Sequence, residues 1–127
     1  MKIYGIGTDI ANINRLRKSL KSKTFINRLF NKNEIDKCSK QINKENCYSK
    51  RFAAKEAFAK ALGTGISKGI SFNEIIVYNI KSGKPNIKLL GNTKKRVNKI
   101  FKNKKFNIFL SLSDDKPFAV ATVIISI

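Results

Sequence analysis

The stretch that most constrains this chain runs Ser49-Lys50-Arg51-Phe52-Ala53-Ala54-Lys55-Glu56-Ala57-Phe58-Ala59-Lys60-Ala61-Leu62-Gly63-Thr64-Gly65-Ile66. Its interior of Ala, Phe, Lys, Glu and Leu, with no Gly or Pro before Gly63, predicts a helix. Ser49 is the expected N-cap, and Gly63 stands where a C-cap glycine belongs, after a last turn that carries Lys60. Phe52, Glu56 and Lys60 are spaced four apart and share a stripe, while Arg51, Lys55, Phe58 and Leu62 follow a neighbouring one. The alanines between them let another element approach closely. Two readings fit such a helix. One is a half-buried helix with a Glu56–Lys60 surface pair worth about 0.3–0.5 kcal/mol. The other is a polyanion site in which Lys and Arg meet phosphates and Glu56 holds a metal.

A chain of 127 residues, 42% hydrophobic, suits a single domain spanning residues 1–127. Its formal charge of +19 favours an anionic partner. The basic residues are spread out rather than gathered in one arm, and no aromatic stacking platform or recognition motif accompanies them, so nucleic acid is not the expected partner. The absence of histidine excludes a Ser-His-Asp triad, a histidine base and histidine metal ligands. Cys38 and Cys47 are too few for a zinc site, and reduced thiols in a cytoplasmic protein are the expectation. The opening Met1–Asp9 is too short and interrupted for a signal peptide, and no apolar run would span a membrane.

Around the central helix, Lys2 to Thr8 reads as a strand with Gly5 and Gly7 marking a close approach, and Asp9 follows at its end. Asp9 is either a turn residue or a metal ligand on a rigid element. Ile13, Leu16 and Leu20 have helical spacing behind a cap at Asn12, with Arg15, Arg17, Lys18 and Lys21 on the polar face. That face is either solvated or a dock for an acidic protein. Short helices are expected over Phe25–Phe30, capped by Thr24, and over Glu34–Ser39, with Lys40–Asn46 as a loop. Ser71–Ile80 and Asn86–Leu90 read as a hairpin, Gly91–Lys102 as a helix, and Phe106–Leu112 with Phe118–Ile127 as a second hairpin. The last strand is so apolar that burial on both faces is expected. Helices and hairpins in separate blocks predict an α+β domain.

Three blocks together resemble one family: Gly5-Ile6-Gly7-Thr8-Asp9-Ile10, the helix Arg51–Leu62 with its exit Gly63-Thr64-Gly65-Ile66, and Ser111-Leu112-Ser113-Asp114-Asp115 followed by Ala119–Ile124. They resemble the holo-acyl-carrier-protein synthases, the small single-domain 4′-phosphopantetheinyl transferases. Ser71–Ile75 and Gly83-Lys84-Pro85 also fit, so the resemblance covers nearly the whole chain. It implies a fold of antiparallel hairpin strands packed with a long central helix, a homotrimer with clefts between subunits, and a cytoplasmic enzyme of fatty acid biosynthesis. The implied reaction moves the phosphopantetheine of coenzyme A to a serine of apo acyl carrier protein. By the same resemblance Asp9 and Glu56 bind Mg2+ and Lys60 contacts phosphate. Arg51, Gly63 and Gly65 lie in the coenzyme-binding segment. The basic face for the acidic carrier is Arg15, Lys18 and Lys21, with Arg28. One departure stands out: many members carry a histidine where this chain has Asp114, for which a turn role is expected.

Overall fold

Two glycines in the first strand decide how the molecule is assembled. The computed structural model describes residues 1–127. Strand β1 (Ile3–Asn12) is followed by helices α1 (Ile13–Ser19), α2 (Lys23–Leu29), α3 (Lys32–Ser39) and the long α4 (Lys44–Leu62). A 3-10 turn (Phe72–Glu74) leads into β2 (Ile75–Asn79), β3 (Pro85–Leu89), α5 (Gly91–Ile100), β4 (Asn107–Asp115) and β5 (Phe118–Ser126). β5 runs antiparallel between β1 and β4, and β2 and β3 form a separate antiparallel hairpin. The α+β class expected from the sequence is the one found.

α4 lies across the three-stranded sheet. Alternation along β1 points Gly5, Gly7, Asp9 and Ala11 at the helix. A Cβ on Gly7 would run into the Ala57 carbonyl oxygen, and one on Gly5 into that of Ala61. Only glycine permits backbone to meet backbone here. α4 answers with Ala53, Ala54, Ala57 and Ala61, all buried in a core shared with Phe58, Leu62, Ala119, Ala121, Val123 and Ile125.

The far side of α4 is held by a buried ion pair that no local pattern announces. Lys55 is fully buried, and its ammonium donates to Glu34 Oε1 at 2.7 Å, Phe72 O at 2.8 Å and Ile75 O at 2.7 Å. The Glu34 carboxylate also accepts from Asn31 N at 3.0 Å and Val77 N at 3.1 Å. One carboxylate thus caps α3, meets α4 and joins the edge of β2.

Several sequence expectations need correction. α4 begins at Lys44, so Ser49 is an interior residue and not a cap, fully buried with an unpartnered Oγ. The reason is tertiary: Cys47 and Tyr48 are buried against Leu29, Phe30 and Cys38, which keeps the preceding turn helical. The caps of the short helices fall earlier than expected, at Ser22 for α2 and at Asn31, with Glu34 closing a capping box, for α3. Residues 72–74 form a 3-10 turn rather than strand because Glu74 turns back to cap α5, accepting from Asn92 N at 3.2 Å and Thr93 N at 3.1 Å. β5 is buried on one face only: Ala119, Ala121, Val123 and Ile125 are inside, while Val120, Thr122 and Ile124 are half-exposed. Cys38 and Cys47 are not free thiols but a disulfide joining α3 to α4.

Candidate active site

β1 extends past the expected end at Thr8, so Asp9 is a strand residue facing α4 rather than a turn residue behind the strand. The close glycine contact brings α4 down beside it. On that helix Glu56 and Lys60, four residues apart, occupy the flank next to the Ala57–Ala61 seam. Lys60 Nζ donates to Asp9 Oδ1 at 3.0 Å and to Thr8 O at 3.0 Å. The lysine pairs with Asp9 and not with Glu56, so the surface pair considered from spacing alone is not the one formed.

Glu56 is half-buried and has no hydrogen-bond or ion-pair partner of its own. Burial raises its pKa, the Asp9 charge raises it further, and Lys60 partly opposes both. Two carboxylates therefore face one small volume with a single ammonium between two backbone elements. Such a donor set has room for a hard cation, which needs only one or two protein carboxylates alongside water and phosphate oxygens.

The exit of α4 is shaped by Gly63, whose φ of 89° is left-handed. Its N–H bonds Ala59 O at 3.0 Å, and Gly65 N bonds the same carbonyl at 3.2 Å. The amides of Gly63 and Gly65 thus complete the helix cap. Those left without a partner between α4 and the 3-10 turn are the amides of Thr64, Ile66, Lys68 and Gly69, of which Thr64 and Ile66 flank the glycines at the helix exit. The resemblance singled out Gly63 and Gly65, whose amides are taken up by Ala59 O, so the amides free to face an anion at the helix exit are those of their neighbours.

Arg51 is placed elsewhere. It is 5% exposed on the α3 and β2 side of α4, donating to Cys47 O at 3.4 Å and Cys47 Sγ at 3.2 Å, and to Asn79 Oδ1 at 3.3 Å. Burial lowers its pKa against the pull of Glu34. Within one chain it does not join Asp9, Glu56 and Lys60. Arg15, Lys18, Lys21 and Arg28 are all exposed on α1 to α2 and none forms an ion pair, whereas neighbouring Arg17 meets Glu45 at 3.8 Å.

Asp114 is more than the turn residue expected. It pairs with Ala119 in the β4–β5 ladder, contacts Lys50 Nζ at 3.2 Å and accepts from Asn46 Nδ2 at 3.3 Å. It ties the tip of β4 to the first turns of α4. The sequence held no sign of this contact, because its partners lie more than sixty residues away in a stretch read as loop and cap.

With this geometry in hand, comparison with known proteins is direct. A family model for the 4′-phosphopantetheinyl transferase superfamily matches residues 5–123. A holo-[acyl-carrier-protein] synthase of Pelagibacter ubique is 51% identical over 125 residues, covering 98% of each chain. The crystal structure of the holo-[acyl-carrier-protein] synthase of Neisseria meningitidis superposes with a TM-score of 0.89 at 34% identity, covering 98% of this chain and 99% of that one. The Helicobacter pylori enzyme, solved in complex with coenzyme A, gives a TM-score of 0.80 at 32% identity, with 95% and 99% covered. Fold, full-length similarity and the motif blocks agree: the chain belongs to the 4′-phosphopantetheinyl transferase superfamily, among the holo-acyl-carrier-protein synthases.

Proposed function

We infer that this chain transfers the 4′-phosphopantetheine group of coenzyme A to a serine hydroxyl of apo acyl carrier protein. The other product is adenosine 3′,5′-bisphosphate. The observation that carries the reading is the meeting of Asp9 on β1 with Glu56 and Lys60 on α4, in a chain similar to holo-[acyl-carrier-protein] synthases from end to end. The serine oxygen attacks the β-phosphorus of the coenzyme. The phosphorus–oxygen bond to the adenosine half breaks, adenosine 3′,5′-bisphosphate leaves, and the serine proton passes to water.

Each residue has a part in that chemistry. The Asp9 and Glu56 carboxylates suit Mg2+, since they face each other closely enough to raise the Glu56 pKa and lack enough protein cations to balance them. Such an ion, when bound, neutralises charge building on the pyrophosphate oxygens. Lys60 Nζ is half-exposed beside Asp9 and is free to swing a donor toward the leaving phosphate. The free amides of Thr64 and Ile66 offer further donors at the helix exit. Arg51 lies away from the three site residues of its own chain, 5% exposed and bound to Cys47 and Asn79, so a contact with the coenzyme would have to be made across a subunit boundary.

The carrier docks on the exposed, unpaired Arg15, Lys18, Lys21 and Arg28, which suit an acidic surface. The assembly is a homotrimer, and its support is the uncovered side of the sheet. There Ile6 is 65% and Ile10 60% exposed, with Phe109 and Phe118 near 40%. We place the reaction in the cytoplasm, with its carrier, although a disulfide such as Cys38–Cys47 is unusual in that compartment. No helix is long and apolar enough to cross a membrane.

The test is intact-mass spectrometry of apo acyl carrier protein incubated with this protein, coenzyme A and Mg2+. The expected result is a gain of one phosphopantetheine that is abolished by a chelator. An unmodified carrier under these conditions would overturn the reading, and modification surviving chelation would remove the metal from it.

A further inference from the structure

The seam between β1 and α4 is smooth. Gly5 and Gly7 meet the backbone of Ala57 and Ala61, so no side chain interlocks at these two positions, and the polar tie across the seam is the half-exposed Lys60, which donates to Asp9 Oδ1 and Thr8 O. Ridges and grooves normally set such a register, and here they are missing where the site needs them. Glu56 stands beside this seam on the helix and Asp9 stands on the strand, so their separation depends on that register.

A buried directional restraint, unlike the solvent-facing contacts of Lys60 and Lys50, comes from Lys55, the residue before Glu56. Lys55 lies about 100° from Glu56, at 3.6 residues per turn. Its ammonium is fixed by three acceptors on three other elements, α3, the 3-10 turn and β2: Glu34 Oε1 at 2.7 Å, Phe72 O at 2.8 Å and Ile75 O at 2.7 Å. Glu34 is in turn fixed by Asn31 N at 3.0 Å and Val77 N at 3.1 Å. Both side chains are buried, Lys55 completely and Glu34 to 1% exposure. A well-packed apolar pair would hold the helix down as firmly, but without direction.

We propose that Lys55 and Glu34 are positioning residues, which lock the register of α4 over the Gly5–Gly7 seam and thereby set Glu56 opposite Asp9. The inference rests on the reading of Asp9 and Glu56 as a metal-binding pair. Neither Lys55 nor Glu34 touches substrate or metal. They act through the helix, as outer partners of a metal site do when they orient its ligands.

The experiment compares wild type with the double variant Glu34→Gln/Lys55→Met, which removes both charges at nearly constant volume. Mn2+ binding is read by electron paramagnetic resonance with coenzyme A present and carrier absent, so no turnover is involved. Wild type should show a bound Mn2+ that Glu56→Gln loses. The double variant should keep wild-type circular dichroism while binding Mn2+ about 10- to 100-fold more weakly. Its kcat should fall with the KM for carrier unchanged. A folded double variant that binds Mn2+ within about twofold of wild type would overturn the proposal. If the double variant does not fold, Glu34→Asp replaces it, keeping both charges but withdrawing the acceptor by one methylene. Weakened Mn2+ binding then supports the lock, and unchanged binding in folded Glu34→Asp overturns it. Failure of wild type itself to bind Mn2+ would sink the metal reading, and the lock would fall with it for lack of a site to position.

Discussion

At the scale of single residues, the site is a place where function costs stability. Glu56 is half-buried, lacks a donor and faces Asp9, and these conditions raise its pKa above that of an ordinary glutamate. A carboxylate whose folded pKa is raised destabilises the fold in its ionised form. The penalty is absent below the unfolded pKa and grows as pH rises through the unfolded value toward the folded one. Glu56→Gln should therefore lower kcat by at least about 10²–10³, the scale for losing one electrostatic contact to the transition state. Without metal at neutral pH, the same variant should melt above wild type. The advantage should vanish in acid, where wild-type Glu56 is protonated. Melting curves with chelator at two pH values check the sign. A variant less stable than wild type at neutral pH would mean Glu56 has a stabilising partner. The resemblance of their motifs to the holo-acyl-carrier-protein synthases singled out Asp9, Glu56 and Lys60, and the fold brings Lys60 onto Asp9 with Glu56 beside them. Which acid Lys60 would hold was not legible in the sequence, since i to i+4 spacing suggested Glu56 and the packing of β1 supplied Asp9 instead.

At the scale of elements, what the sequence revealed and what it hid divide by distance along the chain. Strand glycines and helix alanines each announced a close approach without naming the partner, which the fold shows to be each other, and period-two alternation announced the second hairpin. The start of α4 was hidden because Lys44 to Tyr48 is helical only through Cys47 and Tyr48 packing on α2 and α3, a contact between segments the pattern treats separately. The Glu34–Lys55 pair was hidden for the same reason, 21 residues apart with each partner resembling a surface charge. Its energetics are nonetheless testable. Glu34→Ala leaves a buried, unpaired ammonium and should cost about 3–5 kcal/mol, while Glu34→Gln/Lys55→Met leaves no unpaired charge but strips Phe72 O and Ile75 O of their donor and should cost less, about 1–3 kcal/mol. Burial pulls the Lys55 pKa down to about 8, against the attraction of Glu34. Below that value the lysine is charged in both states and the folded state carries its desolvation. Between about 8 and 10.5 the folded state sheds its proton first, so stability should rise with pH relative to the double variant across this window. Urea titrations of both proteins from neutral pH to pH 10.5 read the difference directly. A gap that stays constant would mean the ammonium keeps its proton throughout. Gly7→Ala belongs to the same scale. Its methyl group meets a helix carbonyl rather than a flexible side chain, so at least about 3 kcal/mol should be lost, at or beyond the upper end for overpacking.

At the scale of the whole molecule, two surfaces make opposite demands on salt. The open side of the sheet aligns Ile6 with Ile124 and Phe109 across three strands, and Ile10 with Val120. An apolar face of this kind needs a cover, and the proposed homotrimer provides one. Yet each copy carries a formal charge of +19, so bringing copies together raises mutual repulsion. Salt screens that repulsion while leaving apolar burial intact, and subunit association should therefore tighten as ionic strength rises. Docking of an acidic carrier on Arg15, Lys18, Lys21 and Arg28 depends on attraction and should weaken over the same range. Arg15→Glu should raise the KM for carrier about tenfold, near 1.4 kcal/mol, and leave the KM for coenzyme A unchanged. Ile6→Asp places a charge on the most exposed part of the apolar face, along the β1 edge, and should give monomers in native mass spectrometry at every salt concentration. If the cleft between subunits completes the site, with Arg51 of one copy serving the Asp9, Glu56 and Lys60 of the next, those monomers should also lose transfer activity. Mixing them with subunits mutated only at Glu56 would then restore nothing, because the charge at position 6 bars either from covering the other. A monomeric Ile6→Asp protein with full activity would show that one chain suffices, and would return Arg51 to the purely internal role its contacts with Cys47 and Asn79 describe.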